Sequence, residues 1–357
     1  MKVLMVTPAV DEQDTLLGFI PTWINSLAQR LDEVQVITLG HNEETQLSEN
    51  VTVYSLGKKS GKLRKFLYFN SIMLRIIRKV DVIFCHMFPD FTLISAPYSK
   101  LFRKPIVTWY VHRHVSRRLK LAHFLASKMV TASEESLRIR SDKIIVTGHG
   151  IDTDMFEPAI RQKRDGDKII ILSVGRISPI KDYETLVKAA DIMINQKGMK
   201  DLEFLIVGGV PISSQRAYYE GLRRMVEEFQ LKDHVKFVGF VPYRDIIKYY
   251  QQSDIHINLC PTGGLDKAVL EGMACEKPVI LCNEAFRDLL KPYDSTCMFK
   301  HHDPTELAEK LNDLVEVNCE DKWVKIGKHS REKVIQNHSI VHLVSKLVEI
   351  FREVSSC

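Results

Sequence analysis

Apolar positions in the first half of the chain fall into short β-branched runs separated by longer stretches with helical spacing. The runs are KVLMVT (2–7), VQVITL (34–39), VDVIFC (80–85), PIVTWYV (105–111), KMVTA (128–132) and KIIVTG (143–148). Between them, 19–31 and 62–79 read as helices, the second marked by Leu63, Phe66, Leu67, Ile72, Met73, Ile76 and Ile77. Such alternation predicts parallel strands joined by crossover helices. The pattern lapses at EPAIRQKRDGDK (157–168), a polar stretch with Pro158 and Gly166 that reads as an interdomain linker. It restarts with KIIILSV (168–174), EFLIVG (203–208), VKFVGF (235–240), DIHINL (254–259) and KPVILC (277–282), separated by helical segments near 182–195, 214–229, 243–252 and 266–275. Nearly continuous apolar strands of this kind are buried on both faces of a sheet. From about 303 onward the pattern is helical, ending in a segment that carries Ile340, Val341, Leu343, Val344, Leu347, Val348, Ile350 and Phe351. The expected fold class is α/β, with two Rossmann-like domains at 1–156 and 157–339 and a final helix at about 340–357 packing back on the first.

A chain of 357 residues, 45% of them hydrophobic and 27% charged, has material for two cores, which excludes a disordered chain. The N-terminal MKVLMVTPAV meets Asp11, Glu12 and Asp14 before any small-residue cleavage site, so it reads as a buried strand rather than a signal peptide. No apolar stretch approaches the roughly 20 residues of a membrane span. The expected location is cytoplasmic, peripheral at the inner membrane face. Seven cysteines, Cys85, Cys260, Cys275, Cys282, Cys297, Cys319 and Cys357, form no CxxC pair, which favours free thiols over a disulfide framework or a zinc site. The net charge of +5 matters less than its distribution: Lys58, Lys59, Lys62, Arg64 and Lys65 form one cluster, and Arg113, Arg117, Arg118 and Lys120 another. These read either as a solvated surface or as a patch for anionic lipid or an anionic acceptor. Nucleic acid is not an expected partner, because neither cluster is interleaved with aromatics.

In doubly wound sheets, ligands bind beyond the carboxyl ends of strands, so chemistry is sought in the loops that follow them. The segment LSVGRISPIKDYETLVKAA (172–190) runs from a buried strand into a helix. Gly175 permits a tight turn, and Arg176 and Lys181 offer a bidentate fork and a point charge to a diphosphate. The alternative is that Lys181 and Asp182 decorate a helix N-terminus. The segment CPTGGLDKAVLEGMACEKPVI (260–280) repeats the arrangement, with Gly263 and Gly264 before a helix whose free amides suit an anion. Glu271 lies among Val269, Leu270, Met273 and Ala274, where a carboxylate needs a partner such as ribose hydroxyls.

Together these segments resemble the retaining glycosyltransferase family 4, of the two-domain GT-B fold. VGRISPIK and VLEGMACEKPVI match its motifs in order and separation, and LIVGGVP (205–211) and HGIDTDMF (149–156) match two more. The resemblance covers nearly the whole chain. It implies two domains facing a central cleft, with Arg176 and Lys181 binding the donor diphosphate and neutralising the leaving group. Glu271 would hold the ribose, and the amides of Gly264 and Leu265 would meet phosphate oxygens. Gly18, in LLGFIPTW, matches the glycine that lets the N-terminal domain approach the donor. His112, in VTWYVHRH, matches the histidine near the transferred sugar, with His114 as a competitor. The sequence departs from the pattern at Gly263, where the family has the first glutamate of its E-x7-E motif, at His149, where it has asparagine, and at Glu276, where it has glycine. Asp266 is the residue near enough to take over a contact with sugar hydroxyls, the alternative being that it caps the helix.

The implied reaction moves a sugar from a nucleotide-diphosphate sugar, UDP- or GDP-linked, to a glycan, lipid-linked or other hydroxyl acceptor. The donor is a substrate, and neither cofactor nor metal is expected, since no Asp-x-Asp motif is placed to hold an ion. Without a carboxylate nucleophile on the N-terminal side, a front-face mechanism is expected. The competing readings are a GT-B nucleotide-sugar epimerase, a nucleotide-sugar-binding protein without catalysis, and an NAD-dependent dehydrogenase. LIVGGV lacks the GxGxxG spacing that the last requires.

Overall fold

The computed structural model describes residues 1–159, 168–210, 213–261, 263–315 and 320–356, without the side chains of residues 213 and 320. Most of the expected linker, with Gly166, lies outside them, as do Pro211, Cys319 and Cys357. The chain divides into two compact units, Met1–Asp152 with Asn337–Cys357, and Thr153–Gln336. The dividing point falls four residues before the boundary expected at 156.

The N-terminal unit contains β1 (Lys2–Val10), α1 (Ile20–Ala28), β2 (Glu33–His41), β3 (Val51–Ser55), α2 (Lys62–Ile76), β4 (Val82–His86), α3 (Pro89–Phe102), β5 (Ile106–Trp109), α4 (Arg117–Leu125), β6 (Lys128–Thr131) and β7 (Ile144–Val146). Its seven strands pair in the order β3-β2-β1-β4-β5-β6-β7, every pair parallel. Three of these elements, β3, α3 and α4, escaped the sequence reading, the first two for identifiable reasons. β3 is a half-exposed edge strand with polar residues in alternation, and α3 carries Pro97 inside it.

Burial on both faces follows from the period of two along each strand. In β1, Val3 and Met5 join one apolar cluster while Leu4 and Val6 join the other, and β4 divides Val82 and Phe84 from Ile83 and Cys85 in the same way. One expectation fails in α2. Phe69, Ile72, Met73, Ile76 and the following Ile77 are buried, but Leu63, Phe66 and Leu67 are exposed, because only the later turns of the helix lie against the core.

The C-terminal unit contains β8 (Ile169–Val174), α5 (Tyr183–Asp191), β9 (Leu202–Val207), α6 (Arg216–Glu228), β10 (Val235–Gly239), α7 (Ile246–Gln252), β11 (Ile255–Asn258), α8 (Lys267–Ala274), β12 (Val279–Leu281), two short helices α9 (Arg287–Leu290) and α10 (Asp294–Cys297), then α11 (Pro304–Val315). Its five strands pair in the order β10-β9-β8-β11-β12, again all parallel. Glu276, where the family pattern has glycine, has a φ of 56°, the left-handed conformation that commonly ends a helix and that glycine adopts without strain.

After α12 (Glu320–His338), α13 (Ile340–Ser355) belongs to the N-terminal unit, whose core receives Leu343, Val344, Leu347, Val348, Ile350 and Phe351. Its docking is close: at Gly150, with φ of 67°, an added Cβ would lie 2.4 Å from Leu343 and 2.9 Å from Trp23. The Trp23 indole donates to the Gly150 carbonyl at 3.1 Å. The Phe351 ring is fully buried, its centroid 5.4 Å from that of Phe84. Phe351→Ala is expected to cost the N-terminal unit about 3–5 kcal/mol, the usual range for emptying a packed aromatic site. Urea unfolding followed through Trp23 and Trp109 fluorescence checks this, and an unshifted midpoint would show that α13 adds no stability.

Candidate functional site

Each sheet reverses its strand order next to its first strand, between β1 and β4 and between β8 and β11. Such a switch point opens a crevice beyond the carboxyl ends of the two strands, because their loops leave in opposite directions. In the C-terminal unit the loop after β8 carries Gly175, Arg176 and Lys181, and the loop after β11 carries Gly263, Gly264, Leu265 and Asp266. Both motifs therefore flank one crevice.

The Lys181 ammonium crosses it to form an ion pair with Asp266, the side chains being only 12% and 19% exposed. Burial works to discharge Lys181, but Asp266, with Cys260 and Tyr183 in turn, holds its pKa above the ordinary lysine value. Burial likewise opposes the Asp266 charge, but Lys181, the Asn258 amide and the Ala268 N–H bring its carboxyl down to about 2. Asp266 is also the N-cap of α8, its Oδ1 accepting from Ala268 N at 3.2 Å. Cap and counter-ion are thus the roles of Asp266 in this structure, and its contact with sugar hydroxyls was only an expectation.

The two loops are held by residues that motif matching passed over. Asn258, ending β11, accepts from Cys260 N at 3.0 Å and donates to Asp266 Oδ2 at 3.1 Å. Asn283, just beyond β12, donates to the Gly264 carbonyl at 2.9 Å. On the other side the Tyr183 hydroxyl donates to the Gly175 carbonyl at 2.9 Å. Gly175 leaves room for the lysine stem, since an added Cβ would lie 2.9 Å from Lys181 Cε. The glycines of LIVGGVP serve packing here: a Cβ on Gly208 would lie 2.0 Å from the Gly175 carbonyl oxygen, and Ile177 N donates to Gly209 O at 3.0 Å. The missed signal was a polar residue closing an otherwise apolar strand, as in INLC and VILCN.

Arg176 contrasts with Lys181. Its side chain is exposed and, among the described residues, its guanidinium has neither hydrogen-bond nor ion-pair partner. Glu271 is buried in α8 and receives a hydrogen bond from the Tyr250 hydroxyl at 3.2 Å; that hydroxyl also donates to Ala268 O at 2.9 Å. Burial outweighs Lys267 and the two tyrosines, Tyr250 and Tyr243, and raises its carboxyl to about 7. The partner expected of a ligand is thus supplied, at least in part, by the protein.

Two further expected residues lie in the N-terminal unit. Gly18 is buried in the turn between β1 and α1, and His112 is exposed in the loop after β5, its ring 5.5 Å from that of Tyr110. Partial desolvation lowers the His112 pKa. Both follow carboxyl ends of strands. Among the described residues, Cys85, Cys260, Cys275, Cys282 and Cys297 are buried free thiols, and no helix is long and apolar enough to cross a membrane.

The profile of the glycosyl transferases group 1 family matches residues 156–333, almost the whole C-terminal unit. The chain belongs to this family. Similar proteins include the D-inositol 3-phosphate glycosyltransferase of Thermomonospora curvata, 26% identical over 187 residues, which are 48% of this chain and 43% of that protein. A second is the GDP-mannose-dependent alpha-(1-6)-phosphatidylinositol monomannoside mannosyltransferase of Mycolicibacterium smegmatis, 28% identical over 37% of this chain and 36% of that protein. The match spans less than half the length of these curated relatives. Among solved structures, a glycosyltransferase from Rickettsia africae ESF-5 superposes with a TM-score of 0.80 at 21% identity, covering 99% of this chain and 98% of that one. Anabaena HepE in complex with UDP-glucose superposes with a TM-score of 0.77 at 18% identity, covering 99% and 100%. At these identities the likeness is one of fold, and the group 1 chain is of the GT-B type.

Protonation of Glu271 gives a test of its burial. Its carboxyl binds a proton more tightly when folded, near pH 7, than at its ordinary value of 4.5. Its contribution to stability is complete below about pH 4.5 and is lost as pH rises through 7. Asp266 acts in a separate window, its contribution being lost below pH 3.8 towards 2. Urea unfolding of the ligand-free protein should therefore show declining stability between about pH 4.5 and 7, and Glu271→Gln should flatten that decline. An unaltered slope in the variant would assign the titration to another group.

Proposed function

We propose that this protein is a retaining, metal-independent glycosyltransferase that moves a hexose from a nucleotide-diphosphate sugar to a hydroxyl acceptor, as the resemblance to family 4 implies. The carrying observation is the Arg176 guanidinium, without a partner among the described residues, in the same loop as Lys181 of the Lys181–Asp266 pair, at the switch point of the group 1 unit. As the sugar–oxygen bond breaks, positive charge develops on the sugar and negative charge on the departing diphosphate. Preformed cations at that diphosphate stabilise the transition state more than the bound donor. Arg176 offers planar donors to two oxygens. Lys181 has three N–H donors, of which Asp266 takes one, so the aspartate holds the ammonium in place and leaves it able to donate. The backbone amides of Gly264 and Leu265 and the amino end of α8 complete the anion cradle, and Gly175 and Gly263 admit the ligand. Glu271 is assigned to the ribose, and Gly18 and His112 to the approach of the donor sugar from the N-terminal unit.

The names of similar proteins support a hexosyl donor without choosing its base: one is GDP-mannose-dependent and another was solved with UDP-glucose. Gly263 supports a second reading, nucleotide-sugar binding without transfer. Calorimetric titration of UDP and GDP, without metal, separates these questions. One nucleotide should bind, and Arg176→Ala and Lys181→Ala should each weaken it by about 10- to 100-fold, the value of a hydrogen bond to a charged group. Binding by neither nucleotide, or equal binding by the variants, removes the proposed site. Binding without release of nucleotide from the matching sugar donor supports the second reading.

The acceptor is proposed to be lipid-linked or anionic, met at a membrane surface. Leu63, Phe66, Leu67 and Tyr68 are exposed on α2 beside Lys58, Lys59, Lys62, Arg64 and Lys65. An open cavity of about 620 Å³ is lined by Leu56, Gly57, Leu63, Arg64, Leu67 and Tyr68. Apolar side chains flanked by cations suit the headgroup region of an anionic leaflet. The protein should cosediment with phosphatidylglycerol-containing vesicles, less as salt rises, and Phe66→Asp with Leu67→Asp should abolish this. Equal sedimentation with purely zwitterionic vesicles would refute the charge-based contact.

A further inference from the structure

We infer that Asp182, His301 and His302 form a binding site for a zinc-class divalent cation. Asp182 lies at the start of α5, and the two histidines lie in the turn that precedes α11. His302 Nδ1 is 2.9 Å and His301 Nε2 3.7 Å from the same carboxylate oxygen, Asp182 Oδ2, and one donor atom from each of the three side chains falls within 4.8 Å of the others. Two bonds of about 2.0–2.1 Å at a tetrahedral centre place their donor atoms roughly 3.3 Å apart, which the two measured separations bracket.

The cluster differs from an incidental surface pair in three respects. The Asp182 side chain is only 6% exposed, whereas charged groups are rarely buried without a partner. Nδ1 of His302 lies 2.9 Å from Asp182 Oδ2, yet among the described residues that oxygen has no hydrogen-bond partner. Two nitrogens converging on one oxygen without bonding to it are the arrangement of ligands around a common centre. Finally, Asp182 and His302 both have backbone φ in the left-handed region, 47° and 64°, so the chain bears strain at the two residues that bring the groups together.

Two imidazoles with one carboxylate suit zinc and its neighbours better than magnesium or calcium, which take oxygen donors. Binding requires unprotonated imidazoles, so it weakens as pH falls. His302 is 67% exposed, so the fourth position faces solvent and would hold water or an exogenous ligand. The bound ion would clip the residue that follows Lys181 to the turn before α11. This site is separate from the proposed transfer chemistry, which needs no metal, and does not depend on it.

The test uses the full chain, freed of metal with a chelator and titrated with Zn²⁺ and, as a spectroscopic probe, Co²⁺. One equivalent should bind, with the visible bands of a nitrogen- and oxygen-ligated cobalt centre. His301→Ala with His302→Ala should remove those bands, while His114→Ala, on the other unit, should keep them. Replacement of residues that merely support a ligand costs about 10- to 100-fold in metal affinity, so Asp182→Asn should lose at least that much. Circular dichroism checks that each variant folds. Absence of stoichiometric binding, or binding undiminished in the double variant, overturns the inference. UDP and GDP titrations read the donor site independently, so either proposal can fail alone.

Discussion

A lysine ammonium withdrawn from water must be given a counter-charge, and in this protein that requirement joins the two loops on which the candidate site is built. Lys181 extends from the β8 loop into a space that Gly175 leaves open, and Asp266 meets it from the β11 loop. Neither charge would survive its burial alone, so each holds the other ionised. Asp266 is fixed in turn by Asn258 and by its cap on α8, and the Gly264 backbone by Asn283. The crevice is therefore organised before any ligand arrives, which is the condition for electrostatic stabilisation of a transition state.

Three ionisable side chains near that crevice have unlike states for physical reasons that differ. Lys181 and Asp266 are charged because they are paired, and Glu271 holds its proton up to about pH 7 because burial dominates over its tyrosine and lysine neighbours. Glycine at 263 removes the carboxylate of the family motif from this setting. Asp266, three residues on, restores a carboxylate to the loop but commits it to Lys181.

The N-terminal unit follows the same architectural rule with different surface chemistry. Its sheet is covered on both faces, and α13, reached only after the whole C-terminal unit has been traversed, supplies part of one cover. Its α2 leaves apolar side chains in solvent among lysines and arginines. The exposed patch is unlike the surface of a helix whose only task is to cover a sheet.

The sequence by itself determined the alternation of strands and helices, the parallel character of both sheets, the strand ends at which Arg176, Lys181 and the glycines would lie, and the helix that carries Glu271. These are local or periodic properties: β-branched runs, helical spacing and turn residues act through neighbours along the chain. It did not reveal β3 or α3, where an exposed edge and an internal proline weaken the periodic signal. Tertiary structure alone decided that Asp266 is the counter-ion of Lys181, 85 residues away, that Tyr250 serves Glu271 from a different helix, and that Leu63, Phe66 and Leu67 face water. It also brought His301 and His302 to Asp182. Pairing and burial depend on which segments the fold sets side by side, and no spacing along the chain encodes the distance between two loops that meet only when the strands of their sheet have taken their places.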